Sequence, residues 1–133
     1  MSQENVQIVH RSADAFSGGD LDRFLEDWAA DAVLDWSNSH GHDARVYRGL
    51  GEIRAFAERF LAVFEEVWFE LDEPVEIEDG LVIVENVAHV RGRDGIEAQA
   101  RSAWLITLRD GKQTSLTLYQ TKQEALETAG LRE

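Results

Sequence analysis

Residues 81–111 read LVIVENVAHVRGRDGIEAQARSAWLITLRDG and consist of two extended segments, each followed by an Asp-Gly pair. A third Asp-Gly pair, Asp79-Gly80, precedes them. Asp-Gly turns of this kind join antiparallel strands. The chain from Val67 to Thr121 therefore predicts four strands in meander order. Pro74 interrupts the first of these, which suits an edge strand or a bulge because proline cannot donate to a sheet ladder.

Helical periodicity dominates the part of the chain before this sheet. Apolar residues recur three or four apart in segments capped by Ser2 and by Asp20, and again in a segment that begins near Gly51. In the second of these segments the apolar residues run from Leu21 to Trp28, and in the third they end at Phe64. We predict three helices, with a brief strand over residues 32–36 and a polar loop over residues 37–43.

The end of the chain carries a further helix signal. Thr121 and Glu124 have the spacing of a capping box, and Gly130 supplies a stop with Leu131 behind it. Helices that precede a meander of strands indicate the α+β class. The predicted architecture is one domain over residues 1–133, with three helices on one face of a sheet and a short C-terminal helix.

Composition limits the functions that such a domain can have. The 133 residues include 26 acidic and 13 basic side chains, for a formal net charge of -13, and no Cys. We expect such a chain to avoid nucleic acid and anionic membranes, and to lack disulfides, thiol catalysis and Cys-bound metals. Residues 1–10 lack the pattern of a signal peptide, so we expect a cytoplasmic protein.

Four segments in order carry a family resemblance. They are AFSGGDLD at residues 15–22, YRG at 47–49, LRDGK at 108–112 and EALETAGL at 124–131. Their order and spacing resemble the SnoaL-like family of the nuclear transport factor 2-like superfamily, over essentially the whole chain. The resemblance implies a cone-shaped α+β barrel, in which a strongly curved, mainly antiparallel sheet wraps on three helices around a deep, mostly apolar cavity. Relatives include ketosteroid isomerases, polyketide cyclases, limonene epoxide hydrolases and scytalone dehydratases.

The catalytic positions of these relatives carry different residues here. The positions that ketosteroid isomerases use for their base and oxyanion donors correspond to Trp36, Ser12 and Trp104. Around the acid and histidine of polyketide cyclases, this chain offers Ser102, Tyr119, Gln120 and Thr121, without carboxylate or imidazole. The usual chemistry of either group is therefore not supported. The Asp-Arg-Asp site of the limonene epoxide hydrolases is not matched either. Arg101 and Glu85 could pair across neighbouring strands, but strand parity places both on the outer face, away from the cavity.

Strand alternation predicts which side chains face the cavity. Asn86 is the polar exception on an inward face that is otherwise apolar, and it must find a hydrogen-bond partner there. The next strand presents Ser102 and Trp104, the last presents Gln120, and the resemblance adds Ser12 and Trp36. We expect these six residues to contact a substrate, together with the hydroxyls of Tyr47 and Tyr119.

Two residues are candidates for proton transfer. Asp35 lies one residue from the isomerase base position, although that offset turns a strand side chain to the other face unless a bulge intervenes. His40 lies in a polar loop that reads HGHD at residues 40–43, and imidazole titrates near working pH. The loop lacks the further ligands that a transition metal needs, so we expect neither a metal nor a cofactor.

Two functions follow. One is a cofactor-free isomerase, cyclase, dehydratase or hydrolase that acts on a hydrophobic small molecule by general acid-base chemistry, with Asp35 or His40. The other is a non-catalytic ligand-binding or dimerisation module. The family forms homodimers through the outer face of its sheet, which here carries Ala103 and Leu105 among polar residues.

Overall fold

The computed structural model describes residues 2–41 and 43–130. It contains four helices: α1 (Ser2–Ser17), α2 (Leu21–Glu26), α3 (Gly49–Val63) and α4 (Lys122–Thr128). The strands are β1 (Trp28–Asp35), β2 (Val46–Arg48), β3 (Phe64–Leu71), β4 (Val75–Glu78), β5 (Leu81–Gly92), β6 (Glu97–Arg109) and β7 (Lys112–Tyr119). No helix among the described residues is both long and apolar enough to cross a bilayer.

One curved sheet holds all the strands, in the order β2-β1-β7-β6-β5-β3, with β4 paired to β5 beside β3. Every pairing is antiparallel except that of β1 with β7. The predicted α+β fold with a mainly antiparallel curved sheet is confirmed. Pro74 divides the first predicted strand into β3 and β4, both of which pair with β5, as expected for a proline at a sheet edge.

The hairpin turns depend on residues with left-handed backbone. Asp110 and Gly111 have φ values of 54° and 77° between β6 and β7, as a two-residue hairpin turn requires. Gly80, at φ 77°, is also crowded, because a Cβ there would lie 2.6 Å from the carbonyl oxygen of Leu108. These turns fix the registers of β5, β6 and β7, and through them which side chains point inward.

Helices α1, α2 and α3 pack on the concave face of the sheet and close the main core. The caps are as predicted at two helix starts: Asp20 accepts from the N–H of Arg23, and the Thr121 side chain accepts from the N–H of Glu124. Helix α4 packs on the opposite face, where Ala125 and Leu126 form a second small core with Ile83 and Ala103.

Several element boundaries differ from the prediction. Trp28, predicted on the stripe of the second helix, begins β1 instead, because α2 ends at Glu26 and the carbonyl of Asp27 accepts from the N–H of Gln113 on β7. Helix α3 begins at Gly49 rather than near Gly51, and Phe64 starts β3 rather than ending that helix. Strand β2 was not predicted. Leu131 lies outside the described residues.

Candidate functional site

The interior of the cone contains an apolar inner chamber between the helices and the sheet. Its volume is about 40 Å³. Among the described residues that line it, only Ser12 and Gln113 have side chains that are mainly polar. The rest of the lining consists of Val9, Ala13, Phe16, Phe24, Trp28, Leu34, Trp36, Phe56, Phe60, Phe69, Trp104, Ile106 and Leu116.

A wider outer chamber, with a volume of about 250 Å³, lies against β5 and β6. Its lining is mostly apolar and includes Phe64, Ala88, Val90, Ala98, Ala100 and Leu118, while the polar lining residues are Ser39, His40, Asn86, Gln99, Arg101, Ser102 and Gln120. Four large aromatic residues line both chambers, and we call them the aromatic collar: Trp36, Phe60, Phe69 and Trp104. The two chambers therefore adjoin at the collar, and we refer to them together as the cavity.

Strand alternation brings Asn86, Ser102 and Trp104 to the cavity, whereas Arg101 lines the outer chamber although strand parity predicted it on the outer face. Asn86 on β5 faces Ser102 on β6 across the ladder, and Val84 faces Trp104 one step further along. Small residues next to them, Ala88 and Ala100, are also paired and leave the outer chamber open. Trp36 follows Leu34 at the end of β1 and packs on Phe56 of α3, with ring centroids 5.3 Å apart.

The polar groups of the cavity are few and partly unpaired. Ser102 Oγ donates to Asn86 Oδ1 at 3.3 Å, and Gln113 Nε2 donates to Ser12 Oγ at 3.1 Å. Gln120 donates from the rim to the carbonyl of Asn38 at 2.6 Å. Asn86 Nδ2 has no partner, although the residue is only 1% exposed. A buried N–H without a partner is costly, so this amide is a candidate ligand contact.

Three candidates from the sequence lie outside both chambers. Asp35 alternates with the inward Leu34, and its carboxylate accepts from the N–H and hydroxyl of Ser37 at 3.0 and 2.6 Å. Tyr47 is buried, and its hydroxyl donates to the carbonyl of Asp43 at 2.7 Å while its ring packs on α3. Tyr119 packs in the small core beneath α4. The proposed site therefore does not include these three residues.

The titratable groups of the cavity are confined to its rim. His40 lines the outer chamber and is exposed, and Arg101 borders it on β6, while His42 lies outside the described residues. Among the residues that the structure describes, no Asp or Glu lines either chamber, and no three His, Asp or Glu side chains gather as metal ligands. The interior is therefore almost free of charge.

Two residues of the inner chamber were not foreseen. Trp28 was predicted on a helix, and Gln113 lies at an irregularity where β7 shifts register against β6 between Thr107 and Leu108. Such a shift reverses the alternation that strand parity assumes. No signal in the local sequence marks Gln113 as inward.

A partly buried ion pair joins α1 to the residue that precedes β1. Arg11 donates to Asp27 with an Nη2 to Oδ1 distance of 2.6 Å, and the Asp27 side chain is only 5% exposed. The hydrogen bond to this carboxylate raises the pKa of Arg11 above its ordinary value. Asp27 thereby holds α1 against the start of β1, next to Trp28.

Solved structures share this fold. A putative polyketide cyclase from Xanthomonas campestris superposes with a TM-score of 0.72 at 22% identity, over 94% of this chain and 96% of its own. A Catenulispora acidiphila protein with a ketosteroid isomerase-like fold, in complex with trimethylamine, gives 0.75 at 21%, over 94% and 93%. RV0760c from Mycobacterium tuberculosis, in complex with estradiol-17beta-hemisuccinate, gives 0.74 at 16%, over 90% and 95%.

Of the two comparisons made with the sequence, the one with protein-family models agrees with the structural comparison. No curated protein sequence matches the chain significantly. The family model of the SnoaL-like domain matches residues 9–116, which include the chamber-lining helices and most of the sheet. The chain belongs to the SnoaL-like domain family.

Proposed function

We propose that this protein binds a small, largely apolar molecule in its two-chambered cavity. The observation that carries the proposal is the aromatic collar, which joins an almost wholly apolar inner chamber to a wider outer chamber with a few polar groups. Small-molecule sites usually combine an apolar lining with a small number of placed polar groups. The complex of RV0760c with estradiol-17beta-hemisuccinate supports the proposal, since it shows a steroid derivative bound to a protein of this fold.

Ligand binding can be tested without knowing the natural ligand. Native mass spectrometry of the purified protein would detect a ligand that co-purifies, and thermal unfolding with 1-tetralone or tetralin tests small apolar probes. A ligand at ten times its Kd stabilises the folded state by about 1.4 kcal/mol. For 133 residues this raises Tm by about 5 °C. No shift with any of a panel of apolar compounds, and no co-purified mass, would contradict the proposal.

A matched pair of variants localises the binding. Ala88→Phe fills the outer chamber from β5 and should abolish the thermal shift, whereas Val75→Phe adds the same ring at a position that is 49% exposed and outside both chambers. An equal shift in the two variants would place the ligand elsewhere.

A second candidate function is proton transfer at the mouth of the cavity. His40 is the one imidazole among the described residues that line the outer chamber, and imidazole is the side chain that most often serves as a general base. As a general base it would make the protein a cofactor-free isomerase, cyclase, dehydratase or hydrolase. Exchange of the C2 protons of 1-tetralone in D2O, followed by NMR, tests for a base: His40→Gln should lose the exchange, and His10→Gln on α1, outside both chambers, should keep it. Exchange no faster than in buffer would refute a base acting on such ketones.

We further propose a cytoplasmic homodimer that associates through the outer face of the sheet. Ala103 and Leu105, expected in that interface, are instead packed in the core beneath α4. The outer face away from α4 carries Trp68, which is 46% exposed and stacks on His89 with ring centroids 3.9 Å apart. An exposed Trp on the outer face of a sheet is typical of the centre of an interface.

A further inference from the structure

Among the residues that the structure describes, three side chains of the cavity have a buried nitrogen donor without a hydrogen-bond partner. The donors are Nε1 of Trp28, Nδ2 of Asn86 and Nε1 of Trp104, and the three residues are 3%, 1% and 5% exposed. An indole nitrogen can only donate, so the polarity of the two Trp groups is fixed by chemistry. Each unpaired donor loses its hydrogen bond to water on burial and gains none in return, which is costly. The cavity therefore has more donors than its own acceptors satisfy.

The lining acceptors nearest to these donors already accept hydrogen bonds from other residues. Asn86 Oδ1 accepts from Ser102, and Ser12 Oγ accepts from Gln113. The described lining of both chambers contains no carboxylate. No described side chain accepts from the three donors, so a ligand with an acceptor oxygen would pair groups that the protein leaves unpaired.

Two of the donors belong to residues that are neighbours on the sheet. Asn86 is opposite Ser102 on the ladder and Val84 is opposite Trp104, so Asn86 and Trp104 are diagonal neighbours on the same inward face. Diagonal neighbours are about 7–8 Å apart, which is within the reach of a long side chain, so one ligand atom can approach both side chains. Both residues line the outer chamber, and Trp104 also belongs to the collar. Trp28 supplies its donor separately, in the inner chamber.

We propose that Asn86 and Trp104 form a two-donor site for an oxygen acceptor, and that the ligand is an apolar molecule that carries a carbonyl oxygen at this point. The inference rests on the proposed binding function and deepens it. The hydrocarbon part of the ligand lies against the aromatic collar, and the oxygen accepts from Asn86 Nδ2 and Trp104 Nε1. A ligand without such an oxygen leaves both donors unpaired, which gives the site its specificity.

The test compares two probes that differ in one carbonyl group, 1-tetralone and tetralin, by isothermal titration calorimetry. The readout is the ratio of the Kd of tetralin to the Kd of 1-tetralone. Asn86→Leu and Trp104→Phe each remove one donor and keep the shape approximately. We expect either variant to lower this ratio about 3- to 10-fold, the value of one hydrogen bond. Thr117→Val, a similar loss of a polar group on the outer face of β7, should leave the ratio unchanged.

The outcomes separate this inference from the function on which it rests. A ratio equal in the wild type and both donor variants, with both probes bound, would overturn the two-donor site and leave apolar binding intact. Failure of both probes to bind the wild type would overturn both. Because the readout is a ratio within each variant, general effects of a substitution on folding or cavity size cancel.

Discussion

The unpaired amide of Asn86 leads to an unusual prediction, namely that removing this polar residue stabilises the ligand-free protein. Asn86→Leu eliminates a buried N–H without a partner, worth about 1–3 kcal/mol. It also leaves the buried Ser102 hydroxyl without its acceptor, at a cost of about 1 kcal/mol, the low end of the same range, because the lost hydrogen bond is long at 3.3 Å. With about 2 kcal/mol for the eliminated N–H, the net expectation is a gain of about 1 kcal/mol.

This gain translates into a measurable melting temperature. An unfolding entropy of about 2.1 cal/mol/K per residue gives about 0.28 kcal/mol/K for 133 residues, so 1 kcal/mol is about 3.5 °C. We expect Asn86→Leu to raise Tm by about 3–4 °C in calorimetry of the ligand-free protein, while it weakens the binding of ketones.

Gln113 provides the matched control, because it is also 1% exposed but its amide donates to Ser12 at 3.1 Å. Gln113→Leu breaks a satisfied pair and leaves a buried hydroxyl without its donor, at a cost of about 1–2 kcal/mol. Its Tm should fall by about 4–7 °C. A fall in Asn86→Leu as large as that in Gln113→Leu would refute the reasoning, since it would mean that the Asn86 amide is satisfied in solution.

Three further predictions concern the framework. Gly80→Ala should lower the free energy of unfolding, measured with denaturant, by about 2–4 kcal/mol, because φ is positive and the added Cβ would lie 2.6 Å from the carbonyl oxygen of Leu108. Gly95 also has a positive φ but open space around it, so Gly95→Ala should lower the free energy of unfolding by only about 1–2 kcal/mol. The N–H of Gly80 lowers the pKa of Glu76 below its ordinary 4.5, so the carboxylate stabilises the fold above that pH and the stability is lost as pH falls through the lowered pKa. Glu76→Gln should therefore flatten the fall of Tm below about pH 4.5, and an unchanged slope would contradict this role. Trp68→Glu should convert a dimer to a monomer in size-exclusion chromatography with light scattering, and a monomeric wild type would contradict the proposed interface.

Strand patterning made most of the sheet and part of the cavity predictable. The alternation of β5 and β6 places Asn86, Ser102 and Trp104 inward, and the Asp-Gly turns fix that register. Pro74 identified the broken edge strand. These features are local, since each depends on residues two to four apart along the chain.

Features set by tertiary contacts were not predictable. Trp28 fits a helical stripe, yet the hydrogen bond from Gln113 to the carbonyl of Asp27 draws this segment into the sheet. The inward position of Gln113 depends on a register shift between two strands. Tyr119 faces the core beneath α4, a partner outside its own sheet. In each case a contact distant in sequence decided between two locally acceptable structures.

The position of the Trp residues connects the fold with its proposed function. The resemblance to ketosteroid isomerases places Trp104 where those enzymes keep an acidic group, and the structure places its indole on the wall of both chambers. The substitution replaces a proton-bearing acid with a fixed donor. A fixed donor can hold a ligand oxygen but has no proton to transfer near neutral pH, which favours binding over catalysis at this position.

The most direct test of the account is the indole N–H region of a ¹H–¹⁵N NMR spectrum, in which each of the four Trp residues gives one signal. Addition of 1-tetralone should shift the Trp104 signal downfield, because its N–H gains an acceptor, and should leave the Trp68 signal on the outer face in place. Saturation of binding without a change at Trp104, or with the larger change at Trp68, would contradict the proposed site.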